Sequence, residues 1–234
     1  MTATEPVLGD GPRGRGYWWF LLSCLGIALL AVVPYLTASL ESLAGGGSRL
    51  AVNYADRPAP VRVAFYLHVV LGGTALLLSP LQFAARLRRR RPRVHRATGR
   101  AVLGSIAVAG TAGFVLSWYN LAGPVGTAGF GTLAVLWVAF AAAAFRTARR
   151  RDIAAHRRWA VRTFALTYAA VTLRLWLLLL IPLETSLLGT DADAAWDRAY
   201  AVVPFLCWVP NLVVAERHLR SRRHRAPEPA YPGA

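Results

Sequence analysis

The chain contains no lysine, so all 27 of its basic residues are arginine. It has only two cysteines, Cys24 and Cys207, and both lie inside apolar stretches. That placement excludes a structural disulfide or a paired-cysteine metal site as an organising feature. No Ser-His-Asp arrangement, glycine-rich phosphate loop or Cys/His cluster at metal-ligand spacing occurs, so hydrolytic and nucleotide-dependent chemistry has no sequence support. No internal repeat stands out, and acidic residues are missing from every long apolar segment.

What is present is apolar sequence and positive charge: 56% hydrophobic residues with a formal net charge of +16. A nucleic-acid binder carries its arginines on a polar folded surface, whereas here they flank apolar segments, and nucleic acid is excluded as a partner. The arginines fall in three runs, Arg86 to Arg100, Arg146 to Arg162 and Arg217 to Arg225. Between them lie stretches long enough to cross a bilayer, which takes about 20 residues at the helical rise. Arginine without lysine, together with heavy alanine usage, fits GC-rich coding and a bacterial source.

The pattern predicts an all-α protein, a polytopic membrane bundle of six transmembrane helices at about residues 17–40, 61–85, 98–119, 126–145, 158–181 and 198–216. Residues 1–16 and 218–234 are expected as disordered tails, the second one basic. The first segment has features of a signal peptide, but its apolar run is too long for one, and an uncleaved helix is preferred. With both termini in the cytoplasm, Arg13, Arg15 and all three runs share the inner face. Only Arg49, Arg57, Arg62 and Arg198 then fall outside, as the positive-inside rule requires of an even number of spans in a bacterial inner membrane. Two loops are expected at the outer face, a glycine-rich one over 41–60 and an acidic one over 182–197 holding Glu184, Asp191, Asp193 and Asp197.

Polar side chains inside spans are costly and face the bundle interior, which makes them candidates for function. In the second span His68, Gly72, Ala75, Ser79 and Gln82 share one helix face, and in the fifth so do His156, Thr163, Thr167, Ala170 and Arg174. Ser105, Ala109, Gly113 and Ser117 form a small-residue seam on the third. Helical rise puts His68 roughly 10 Å and Arg174 roughly 12 Å inside the outer ends of their segments. A guanidinium at that depth needs a counter-charge: Glu41 or Glu184 reaching in, a water cavity, or an anionic ligand. His68, Arg174, Thr167, Tyr168, Gln82 and Asn211 are the expected ligand-binding residues. At the inner face Glu216 reads as a counter-ion for the basic loops.

Two motifs, His95-Arg96-Ala97-Thr98-Gly99-Arg100 and His156-Arg157-Arg158-Trp159, join His68, Pro80-Leu81-Gln82-Phe83 and Pro210-Asn211-Leu212 in a fixed order. In that order they resemble an uncharacterised prokaryotic family of predicted membrane proteins with a domain of unknown function, over about residues 60 to 217. The resemblance implies a multi-pass membrane protein and no particular activity. The His-Arg-x-x-Gly-Arg start is also similar to segments of haem-bearing ferric reductases and ascorbate-reducible b-type cytochromes. That likeness implies one haem b held by His95 and His156, with Arg100 beside a propionate. Where two-haem relatives carry a further histidine this chain has Ala109 and Ala170, so a second haem is excluded.

Three functions stay open on sequence alone. One is a polar pocket in the outer half of the membrane, around His68 and Arg174, that binds or moves a small anion or a quinone. Another is a single-haem redox protein. The last is a structural or regulatory membrane protein whose inner arginines meet anionic lipid headgroups, each worth about 1 kcal/mol near the surface.

Overall fold

A computed structural model describes residues 15–224. Among the described residues there are eleven α-helices, one short 3-10 turn and no strand. In chain order they are α1 (Arg15–Thr37), α2 (Leu40–Gly45), α3 (Arg49–Ala55), α4 (Ala59–Phe83), α5 (Ala85–Arg90), α6 (Pro92–Leu116), α7 (Gly123–Arg149), α8 (Ile153–Thr167), α9 (Ala169–Leu187), α10 (Ala192–Leu206) and α11 (Val209–His224). They make six spans long and apolar enough to cross a membrane, with α8–α9 and α10–α11 each forming one. At 1.5 Å per residue, α4 and α6 each reach about 37 Å, more than the hydrocarbon thickness.

Prolines near the first turn open α4, α6 and α7, where the missing N–H costs nothing. Ser39, Ser48, Asp152 and Asp191 cap α2, α3, α8 and α10 through their side chains. The tight α7–α8 turn holds Arg151 at φ 61°, a left-handed conformation unusual for a residue with a Cβ.

α4 packs most extensively on α6, α6 on α7, and α7 on α8 and α10, while α1 lies against α4. The central core gathers Ile106, Ala109, Trp137, Leu166, Val203 and Trp208 from α6 to α10 and the joint after it. Leu30 on α1, Leu178 on α9 and Val214 on α11 point outward and stay exposed. Apolar surface of that extent is what a lipid medium requires of a helical bundle.

The 41–60 segment, expected as a loop, contains the two short helices α2 and α3. Their apolar sides, with Leu40, Ala51, Tyr54 and Ala55, close over Val61, Phe65 and Leu116 at the ends of α4 and α6. The spans also run further than the hydropathy alone marks. α6 begins at Pro92 and α8 at Ile153, so His95 and His156 stand inside helices, and α11 carries the expected basic tail in helical form as far as His224. The rest of that tail, and the N-terminal one up to residue 14, lie outside the described residues.

Ion pairs and hydrogen bonds define the two ends. Arg62 pairs with Glu41 at 2.9 Å, Arg198 with Glu184 at 3.0 Å and Arg49 with Asp193. Asn53 donates to the Tyr119 carbonyl at 2.6 Å. These contacts gather α2, α3 and the acidic 182–197 segment at one end. At the other end Arg162 holds Glu216 in a two-pronged pair, Nε to Oε1 at 2.5 Å and Nη2 to Oε2 at 2.9 Å. Arg88, Arg96 and Arg157 lie at that second end, with Arg217 and Arg220 of α11.

Candidate functional site

The polar face of α4 meets the small-residue seam of α6. The His68 Nδ1 lies 2.9 Å from the Ala109 carbonyl oxygen. A carbonyl only accepts, so Nδ1 carries the proton and a neutral ring keeps its lone pair on Nε2. Gly113 makes room for the ring: a Cβ there would come within 2.8 Å of Nδ1. Further along the seam Ser79 turns back to the Ala75 carbonyl, and Gln82 donates to the Thr98 hydroxyl at 2.7 Å, against Gly99.

The fifth and sixth spans are both broken, and the breaks face each other. One lies at Tyr168 between α8 and α9, the other at Cys207–Trp208 between α10 and α11, where Pro204 and Pro210 flank the gap. Helix ends leave carbonyls without backbone partners, and in a membrane side chains must supply them. The Asn211 amide donates to the Ala165 carbonyl at 3.2 Å, the Cys207 carbonyl at 3.1 Å and the Thr172 hydroxyl at 3.0 Å. Thr172 in turn donates to the Cys207 carbonyl at 2.5 Å. The Tyr168 hydroxyl shares a 2.9 Å hydrogen bond with Ser23 of α1. Thr167 accepts from the Trp137 indole at 2.9 Å.

Just past the α8–α9 break sits Arg174. Its Nη1 donates to the Ala170 carbonyl one turn back, at 2.9 Å. The guanidinium lies within electrostatic reach of His68 on α4, Tyr35 on α1, Tyr200 on α10 and Cys207. Among the described residues no carboxylate pairs with it. Both acids that could have reached in are committed elsewhere, Glu41 to Arg62 and Glu184 to Arg198. Hydrogen bonds from its own backbone amide and from Ser39, with Arg62 alongside, hold the Glu41 carboxyl below the usual carboxylate range. Toward the α2–α3 end Phe65 packs at ring-centroid distances of 5.0 Å from Tyr35 and 4.9 Å from Tyr54. Burial pushes the Tyr54 phenol up to about 12. Beyond that aromatic layer a cavity of about 520 Å³ opens between α3 and α10, lined by Arg49, Asn53, Arg57 and Trp196 among others. Trp196 stacks on Tyr200 at 4.9 Å, so the cavity wall and the Arg174 site share a side-chain column.

At the arginine-rich end His95 and His156 come within electrostatic reach of each other, with Arg88 and Arg96 beside them. The His156 Nδ1 lies 2.9 Å from the Ala144 carbonyl, which leaves Nε2 outside that hydrogen bond. The His95 Nδ1 is buried and has no partner. Arg100 is exposed on the opposite side of its helix turn. No group of three or more His, Cys, Asp or Glu residues is placed to hold a metal ion among the described residues.

The residues singled out in the sequence therefore divide. His68 and Arg174 lie within electrostatic reach of each other. Thr167, Tyr168 and Asn211 lie at the helix breaks with their polar groups engaged by the protein. Gln82 sits at the arginine-rich end. Tyr35 and Tyr200 belong to the polar centre but gave no sequence signal, since a tyrosine near a span end is ordinary interfacial composition.

Six spans, lipid-compatible outer surfaces and a polar centre at two facing helix breaks define a multi-pass α-helical membrane protein. The chain belongs to the family described as predicted membrane protein (DUF2306), which matches it over residues 65–219. No curated protein and no solved structure matches the chain.

Proposed function

We propose that this membrane protein binds, and moves across the bilayer, a small anionic or quinone-like ligand at Arg174 and His68. One observation carries the reading: a guanidinium inside a span has no carboxylate partner among the described residues, while Glu41 and Glu184 serve other arginines. An unpaired charge there is expensive, and a ligand that accepts its N–H groups offsets the cost. Facing discontinuous helices are where transporters hold substrates, because freed backbone groups and hinge freedom coincide. In the same reading the arginine-rich end faces the cytoplasm of a bacterial cell, against anionic headgroups, and the α2–α3 end faces outward.

The test is thermal unfolding of the detergent-purified protein against acetate, formate, nitrate, phosphate and a short-chain menaquinone. At least one should raise the melting temperature of the wild type and leave Arg174→Leu unmoved. If none shifts the wild type, the polar centre serves only to assemble the bundle.

A second reading rests on the nearness of His95 and His156: one haem b held between their helices, each imidazole binding iron. Bound haem would supply one-electron chemistry. In that case the protein purifies coloured, with a Soret band lost in His95→Ala, and a colourless preparation removes the reading.

A further inference from the structure

We infer that the Arg174–His68 centre takes up a weak-acid anion, of the small monocarboxylate class, together with one proton that is held on His68. This rests on the reading of that centre as a ligand site and narrows its substrate.

The first reason is charge. Arg174 lies within electrostatic reach of Tyr35 on α1, Tyr200 on α10, His68 on α4 and Cys207, and none of these is an anion in its ordinary state. A neutral quinone would leave the positive charge of the guanidinium in place, whereas a carboxylate cancels it and matches its planar fork of donors. Only Nη1 is committed, to the Ala170 carbonyl, so the other N–H groups are available to two carboxylate oxygens.

The second reason is the His68 tautomer. With Nδ1–H directed to the Ala109 carbonyl, the lone pair is on Nε2, the atom that must receive a proton. Arg174 is the charged group facing His68, Tyr35 and Tyr200 are the other titratable groups around that guanidinium, and α6 offers only Ala109 and Gly113 at the ring. While the centre is empty, the guanidinium repels a second positive charge on the imidazole. Once a carboxylate has neutralised Arg174, that repulsion is gone. Anion and proton therefore favour each other's binding, and the coupling is reciprocal. The balance is simple. The O–H bond of the acid breaks, its proton joins the Nε2 lone pair, and the carboxylate accepts hydrogen bonds from Arg174. No carbon bond changes and no electron is transferred. The loaded centre holds Arg174, an imidazolium and one anion, a net charge one unit below that of the protonated centre without ligand.

The experiment uses the purified full chain in detergent, weakly buffered near neutral pH with an indicator dye, and acetate pre-adjusted to the same pH. Wild type should take up about one proton per bound acetate, and its affinity should fall about tenfold for each pH unit above neutral, as one-proton linkage requires. His68→Gln should still bind acetate by thermal shift, with no proton uptake and a flat pH profile. Arg174→Met should bind none. Acetate binding to the wild type without proton uptake overturns the inference and leaves the ligand site standing. Uptake that persists in His68→Gln overturns it too. If acetate, formate and nitrate all fail to bind, the inference is overturned, and the ligand site itself fails if phosphate and menaquinone do not bind either. A menaquinone that binds while all three anions fail puts a neutral ligand there instead.

Discussion

Asn211 and Thr172 are joined by a 3.0 Å hydrogen bond, and both donate to the carbonyl of Cys207, at 3.1 and 2.5 Å. Two side chains thus replace the backbone donors that a continuous helix would have presented to that carbonyl, and they tie the break in one span to the break in its neighbour. Asn211→Leu leaves the Ala165 and Cys207 carbonyls short of a partner in a medium without water. It should cost about 1–3 kcal/mol and lower the melting temperature in detergent. Unchanged melting would mean that the stitch carries no stability.

Gly113 is held by the His68 ring rather than by backbone conformation. Gly113→Ala brings a Cβ to within 2.8 Å of the imidazole, so the ring must leave the Ala109 carbonyl or α4 must shift. Overpacking of that kind costs roughly 1–3 kcal/mol, and ligand-induced stabilisation should weaken with it. Gly104→Ala is the control, because nothing lies within 4 Å of its Cβ position. It should be neutral, and equal effects of the two substitutions would contradict the assigned packing of His68.

The Arg162–Glu216 pair joins α8 to α11 with little exposure, 18% for the arginine side chain and 32% for the glutamate. Charge-assisted bidentate pairs exceed neutral hydrogen bonds in strength, and Glu216→Ala should cost about 1–3 kcal/mol. Arg198→Gln breaks a single-pronged pair whose arginine is 60% exposed and should cost under about 1 kcal/mol. A reversed order in thermal unfolding would show that the arginine-rich end is not clamped by Glu216.

The positive-inside reading of the arginines predicts a sidedness. Alkaline phosphatase fused after Leu40, Tyr119 or Leu188 should be active, and the same enzyme fused after Arg90 or Arg151 should be inactive. The opposite pattern would invert the protein in the membrane.

Hydropathy made the six spans legible, because bilayer thickness dictates segment length. The period of the polar residues likewise placed His68 and Arg174 on the polar faces of their spans. The break at Tyr168 was not legible: no proline marks it, and the apolar sequence runs through it without interruption. Proline is no guide on its own, since Pro204 and Pro210 flank the other break while Pro34 and Pro80 lie inside continuous helices. α2 and α3 escaped notice since each has fewer than eight residues and they lie on either side of Gly45-Gly46-Gly47, which reads as loop. For Thr167, Tyr168 and Asn211 the sequence gave position without partner. A polar residue in a span must bond to something, but only the fold determines whether that is Trp137, Ser23, a freed carbonyl or a ligand.

Most direct of all is the melting temperature of ligand-free Arg174→Met beside that of the wild type. If the charge of Arg174 is kept for a ligand, an apolar side chain of similar length relieves an unpaired buried cation, and the variant melts higher while losing all stabilisation by anions. If Arg174→Met melts several degrees lower, the guanidinium is a structural member of the bundle, and a ligand site at Arg174 and His68 is contradicted.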